Sequence, residues 1–104
     1  MTDAPAAAFG LTLFVSGAST LSVRAVADAT LLLDVHLGGS YHLAVVDMYD
    51  DAAAGLPYGA LAAPTLVRHR PLPVRRHVGD LSRGDEVLRA LELPSAAGAG
   101  SDPG

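Results

Sequence analysis

The stretch GALAAPTLVRHRPLPVRRHVGDLS, residues 59–82, decides how this chain folds. It holds two short runs of β-type residues, Thr65 to His69 and Pro73 to Val78, joined by Arg70-Pro71-Leu72. The second run alternates apolar with basic side chains, the period of a strand with one face in water. With so short a connection the two runs read as an antiparallel hairpin in which Pro71 and Pro73, having no N–H to offer, protect an edge. A helix start follows. Ser82 and Asp85 have the spacing of a capping box, Val87, Leu88 and Leu91 share one face, and Pro94 ends the element.

Upstream, LTLFVSG (Leu11 to Gly17) is almost continuously apolar and β-branched, as a strand buried on both faces must be. Gly17 and Ser19 end it, with Ser19 placed as an N-cap. From Thr20 to Leu37 the residues Val23, Val26, Ala27, Thr30, Leu33 and Leu37 recur at threes and fours, which predicts one long helix with that face inward. Gly38-Gly39 stops it. YHLAVVDM, Tyr41 to Met48, is a second strand, and a strand, helix and strand of these lengths close into two parallel neighbours. Between this unit and the hairpin, Tyr49 to Ala63 begins with acids and alanines suited to a helix. Gly55, Pro57 and Gly59 then break it, so the link is left indefinite or helical.

Composition bounds what such a fold can do. With 104 residues, half of them hydrophobic, the chain is one small domain with one core. Residues 1–8 and the turn-forming stretch 94–104 are expected to be flexible flanks to a domain spanning 9–93. The N-terminus lacks a basic cluster ahead of an apolar run, and no apolar stretch approaches a membrane span, so a soluble cytoplasmic protein is expected. Cysteine is absent, which excludes disulfides, thiolate catalysis and thiolate metal sites. Net charge is −4, every cation is arginine, and four of the seven arginines fall between residues 68 and 77. Four arginines with little aromatic interleaving on an acidic chain are a poor polyanion site, so no nucleic-acid partner is expected. A solvated edge is the favoured reading of this segment, with partner docking next.

The predicted order is therefore βαβ, a link, ββ and α. That is the thioredoxin-like α/β (α+β) order, βαβαββα when the link is counted as helical, on a mixed four-stranded sheet. Within it, LTLFVSGAST, SVRAV, YHLAVVD, AAPTLV, PLPVRRHVGDLS and EVLRALEL resemble the KaiB family of circadian-clock proteins from about Phe9 to Leu93. The proline of PTL, followed nine residues later by PVRR and then by GDLS, is the specific part of the pattern.

The resemblance implies a non-catalytic adaptor without cofactor. It would bind a KaiC-like ATPase ring or a clock-type histidine kinase through the start of the first helix, the second strand around His42 and Ala44, and the link before Pro64. Phe9, His42, Ala44 and Gly59 are the partner-binding candidates. Family members usually carry lysines where this chain has Ala44 and Gly59, which weakens charge complementarity to such a ring or points to a different partner. The alternative is a cysteine-free thioredoxin-like interaction module in another stress or signalling pathway.

Some family members also exchange the thioredoxin-like state for a differently folded, often tetrameric ground state, so monomer, dimer and tetramer are all open. Pro64, Pro71, Pro73 and Ala90 are the positions on which the resemblance places that choice. Ala90 stands where the family typically has glycine, Glu92 is a better helix former than the aspartate found there, and Pro94 shortens the strand-forming tail. All three favour the thioredoxin-like state.

Other chemistry is weakly supported. Ala63-Pro64 matches the cis-proline position of thioredoxin-like proteins, but without cysteine it is expected only to turn the chain. Ser16 and Ser19 occupy the place of a redox pair yet have no base, and capping accounts for Ser19. His36, His42, His69 and His77 lack metal-ligand spacing. Asp47, Asp50 and Asp51 could hold a cation at the end of the second strand, although backbone capping explains them better.

Overall fold

A computed structural model describes residues 8–17, 19–58 and 64–95. Strand β1 (Phe9–Val15) leads into helix α1 (Thr20–Leu37) and strand β2 (Tyr41–Asp47). A 3₁₀ helix, Ala52–Tyr58, precedes β3 (Thr65–Arg70), β4 (Arg75–Val78) and α2 (Gly84–Ala90). The strands form one sheet in the order β2-β1-β3-β4. β1 runs parallel to β2, with Phe9 opposite Tyr41 and Val15 opposite Asp47, and antiparallel to β3. β3 and β4 form the expected hairpin, pairing Thr65 with Val78 and Arg68 with Arg75. The link is thus helical only in its tighter 3₁₀ form, with Pro57 inside it.

β1 sits centrally because its residues are apolar on both sides, and six of its seven are buried. Alternate side chains divide the sheet into two unlike faces. On one, Leu11, Leu13, Val15 and Leu66 meet Ala25, Ala29, Leu33 and Leu37 of α1 and Val87, Leu88, Leu91 and Leu93 at the C-terminal end. On the other, a smaller cluster of Phe14 and Val67 is covered by Val46, Met48 and Ala54 of the link.

Helix α1 has the expected limits, and Leu33, Leu37 and Val26 of the expected face do meet the core, but the rest of that face does not. Ser22, Ala25, Ala29, Leu33 and Leu37 are buried, whereas Val23, Ala27 and Thr30 face solvent. The apolar residues of α1 lie all around its axis, so periodicity alone could not choose a face. The small side chains Ser22, Ala25 and Ala29 let the backbone approach the sheet, and they decide it.

Helix α2 starts differently from its predicted capping box. Arg83 is the N-cap and makes no side-chain cap bond. The Ser82 hydroxyl instead donates to Asp80 Oδ2 at 2.8 Å, and the Ser82 N–H to Asp80 Oδ1 at 2.9 Å. These two bonds, the N–H first, hold the Asp80 carboxyl below its ordinary value of 3.8, with help from the positive charges of Arg24 and Arg83.

The helix ends at Ala90, so Glu92 lies outside it, and its helix propensity does not bear on the fold. Glu92 takes a left-handed φ of 53°. The N–H of Leu93 donates to Leu88 O and that of Glu92 to Arg89 O, the two bonds of a Schellman turn that usually uses glycine. The Glu92 carboxylate accepts from Arg75 Nε at 3.0 Å, tying the turn to β4.

Candidate protein-docking surface

The junction of β1, α1 and β2 is held by backbone N–H groups that donate to side-chain oxygens. Ser19 Oγ accepts from Ser22 N at 3.2 Å, which caps α1, and it donates to Ser22 Oγ. Ser22 Oγ donates in turn to Ser16 O at 3.2 Å. Ser16 enters the network through its backbone and Ser19 through its cap bonds, and neither hydroxyl is set against a base. Ser22, which the sequence reading passed over as one more helical residue, is the buried hub. Its signal was its position three residues after the cap.

Asp47 closes the other side. Its Oδ1 accepts from Gly17 N and from Tyr49 N, each at 2.9 Å, and so clasps the β1–α1 loop to the end of β2. Gly17 has φ +70°, and a β-carbon there would lie 2.6 Å from the Tyr49 ring, so only glycine fits. Asp50 and Asp51 enter the following turn by donating their N–H groups to Asp47 O. Among the described residues no group of three potential metal ligands gathers, here or around the four histidines. His77 Nε2 lies 3.0 Å from Asp80 O, and His36 is in the last turn of α1.

The partner-binding candidates do not form one patch. Phe9 points to the helix-covered face and packs on the main core. His42 and Ala44 lie on the opposite face, level with Gly10 and Thr12 of β1. Gly59 lies outside the described residues, as does the Ala63 side of the Ala63–Pro64 bond. The cis bonds in the described chain are Arg70–Pro71 and Leu72–Pro73, in the turn between β3 and β4.

The basic segment is split by the pleat. Arg70 lies beside Gly10 on the His42 and Ala44 face, where a β-carbon on Gly10 would come within 3.1 Å of its guanidinium. Arg76, opposite Val67, adds a second cation to that face. Arg68 is not on a solvated edge. It lies on an interior strand opposite Leu11, only 5% exposed. Its Nη2 donates to Pro73 O at 2.7 Å and holds the hairpin turn, while its buried Nε has no partner among the described residues. The β-bulge between Gly10 and Leu11 shifts the register beside His69 and turns neighbouring arginines to opposite faces. The mark of that bulge in the sequence is Gly10, an isolated glycine within β1.

On the face away from the α-helices Gly10, Thr12 and Ala44 set small residues beside His42, and the exposed arginines Arg70 and Arg76 charge its margin. The family model described as "KaiB domain" matches residues 12–93. The chain belongs to the KaiB family.

It is 39% identical over 89 residues to the circadian clock oscillator protein KaiB of Synechococcus elongatus, covering 86% of this chain and 87% of that one. It is also 39% identical over 83 residues to the KaiB of Thermosynechococcus vestitus, covering 80% and 77%. The solution structure of the N-terminal domain of Synechococcus elongatus SasA superposes with a TM-score of 0.67 at 21% identity, over 86% of this chain and 84% of that one. That likeness shows the thioredoxin-like fold expected from the element order. Among the described residues no helix is long and apolar enough to cross a membrane.

Proposed function

We propose that this KaiB-family chain is a non-catalytic adaptor of a circadian or related signalling system, docking reversibly on a KaiC-like ATPase or a clock-type sensor kinase. One observation carries the reading. The sheet face holding His42 and Ala44 has small residues at its centre, the cations Arg70 and Arg76 beside them, and neither α-helix packed on it. A sheet face of small residues bordered by exposed arginine suits an acidic, shape-matched protein surface better than a small substrate. Charge at the rim of such an interface mostly sets the association rate.

Ala44 favours the second reading, an interaction module of another pathway, because it leaves the middle of β2 neutral where the family usually offers a cation. The test is affinity capture of the full chain against a recombinant KaiC-like ATPase from the same organism, with Ala44→Lys in parallel. Binding that falls with salt and strengthens in Ala44→Lys supports the first reading. No binding by either protein overturns it and leaves the second.

A further inference from the structure

Strand β4 is an edge whose backbone is only half used. It pairs with β3 alone, because the sheet order is β2-β1-β3-β4. The N–H of Gly79 donates to Pro64 O at 2.8 Å, which fixes the phase of that ladder. With Thr65 opposite Val78 and Val67 opposite Arg76, the backbone groups turned to β3 are those of Arg75, His77 and Gly79. The N–H and C=O groups of Arg76 and Val78 therefore point away from the sheet. Pro71 and Pro73 come before the strand, so they block neither residue.

The side chains at these positions add a pattern. Arg76 and Val78 stand on the face without α-helices, opposite Val67 and Thr65. Val78 is 52% exposed and Val74, just ahead of the strand, 38%. Arg76 is exposed between them and has no ion-pair partner among the described residues, whereas its neighbour Arg75 is held by Glu92.

We propose that the β4 edge is a docking site for an extended acidic segment of another protein, which joins the sheet as an antiparallel fifth strand. Such a segment carries one carboxylate residue with a β-branched residue two places to either side. Set opposite Arg76, the carboxylate residue exchanges both backbone bonds with it, and the flanking residues fall level with Val74 and Val78. Main-chain bonds supply the affinity and alternate side chains the specificity. Charge decides which strand is accepted. A second copy of this edge, paired about Arg76, would set arginine on arginine and is refused. The same cation that guards the edge against its own sequence attracts an acidic one.

With two residues turned outward the added strand is short, so the Kd is on the order of 100 μM or weaker. The inference shares Arg76 with the docking face proposed above but rests on no clock partner. A chain that captures the ATPase without binding an acidic strand loses only the edge site, and the converse result loses only the clock partner.

An amide NMR titration of the full chain with the capped peptide SVTETVS, up to about 2 mM, tests it. The amides of Arg76 and Val78 should move downfield and gain protection from hydrogen exchange, while those of Arg75 and His77, already bonded to β3, should move less. The peptide SVTKTVS should bind about fivefold more weakly or worse, because it sets like charges opposite. Arg76→Glu should reverse that order. Shifts that are absent or centred on β2, an equal response to the two peptides, or a preference unchanged in Arg76→Glu overturns the proposal. Should Arg76→Glu fail to fold, Arg76→Gln decides in its place, since it keeps a polar stem and removes the charge. It should bind the two peptides alike, and a retained preference for the acidic one overturns the proposal.

Discussion

The two faces of the sheet are made from the same strands, yet they serve opposite ends. Under α1 and α2, Leu11, Leu13, Leu33, Leu66 and Leu91 are wholly buried and form one continuous core. On the other face the buried apolar pair is Phe14 and Val67, with Gly10, Thr12, His42, Ala44, Arg70 and Arg76 around it. Strand alternation is what permits this. Each β residue commits to one face, so β1 serves the main core on its odd residues and the smaller Phe14 and Val67 cluster on its even ones. Stability should therefore respond to changes on the first face, and association to changes on the second.

The largest effect is expected at Leu13. Leu13→Ala leaves a cavity between β1 and α1 and should cost about 2–5 kcal/mol in urea-unfolding free energy. A loss under about 1 kcal/mol, the range of a tolerated core swap, would mean that the helix-covered face is not the seat of stability.

Next comes Gly17, in the loop between β1 and α1 that Asp47 clasps. Gly17→Ala combines a positive φ with a β-carbon that meets Tyr49, and it should cost about 1–3 kcal/mol by the same measurement. Pairing it with Tyr49→Ala should recover the steric part and leave the backbone part. No recovery would place the whole cost in φ.

The pH dependence sharpens the contrast at the rim of the core. Tyr41 donates its hydroxyl to Asp34 Oδ1 at 2.6 Å, and this bond to a carboxylate, with some burial, raises the phenol above its ordinary 10.0. A group raised in the folded state stabilises fully below its unfolded value and loses that contribution as pH climbs through the folded one. Wild type and Tyr41→Phe should thus differ by a constant amount up to about pH 10 and converge above it. Asp80 runs the other way. Its carboxyl is lowered by the Ser82 bonds, so its contribution is present above 3.8 and is lost as pH falls through the folded value. Asp80→Asn should flatten the acid limb of the stability profile, and an unchanged limb would remove the Ser82 turn from the account.

A smaller shift is expected at Glu92, where two effects oppose. Glu92→Gly relieves a left-handed backbone worth about 1 kcal/mol but loses a half-exposed ion pair worth about 0–1 kcal/mol. The melting temperature should stay level or rise by up to about 8 °C. A fall would show that the Arg75 pair outweighs the strain.

How much of this was legible depends on the range of the interaction concerned. The limits of α1, the β3–β4 pairing and the parallel β1–β2 unit follow from local periodicity and stop signals, and they appear as read. The buried face of α1 is only half legible, because a helix with apolar residues all around its axis is oriented by packing, and here Ala25 and Ala29 turn inward beside Leu33 and Leu37 in place of Val23, Ala27 and Thr30. The capping box failed because Asp80, two residues upstream, offers Ser82 a better partner than the helix does. The basic neighbours of Arg68 suggest a solvated residue, yet β3 lies between β1 and β4, and regular alternation with Leu66 sets Arg68 opposite Leu11 on the helix-covered face. The site suffers most from this limit. Phe9 was grouped with His42 and Ala44 by resemblance, and the pleat puts them on opposite faces.

The smallest stability change is predicted where association should change most, which makes it the sharpest test of the two-face comparison. Arg70 and Arg76 have no ion-pair partner among the described residues and lie on the face that no α-helix covers. Removing both charges, as Arg70→Ala with Arg76→Ala, strands no buried carboxylate and opens no cavity in the main core, so unfolding free energy should move by no more than about 0.5 kcal/mol. Repulsion relieved between two like charges and apolar cover lost from the arginine stems would act in opposite directions, and both are small. Docking has no such compensation. Two cations facing an acidic surface steer encounter and are screened by salt, so the double variant should bind its partner more slowly and with a flatter salt dependence. A double variant that unfolds easily would show that the cationic face holds the sheet together. One that remains stable and still binds with wild-type salt dependence would move the docking surface off the sheet, toward the helix side.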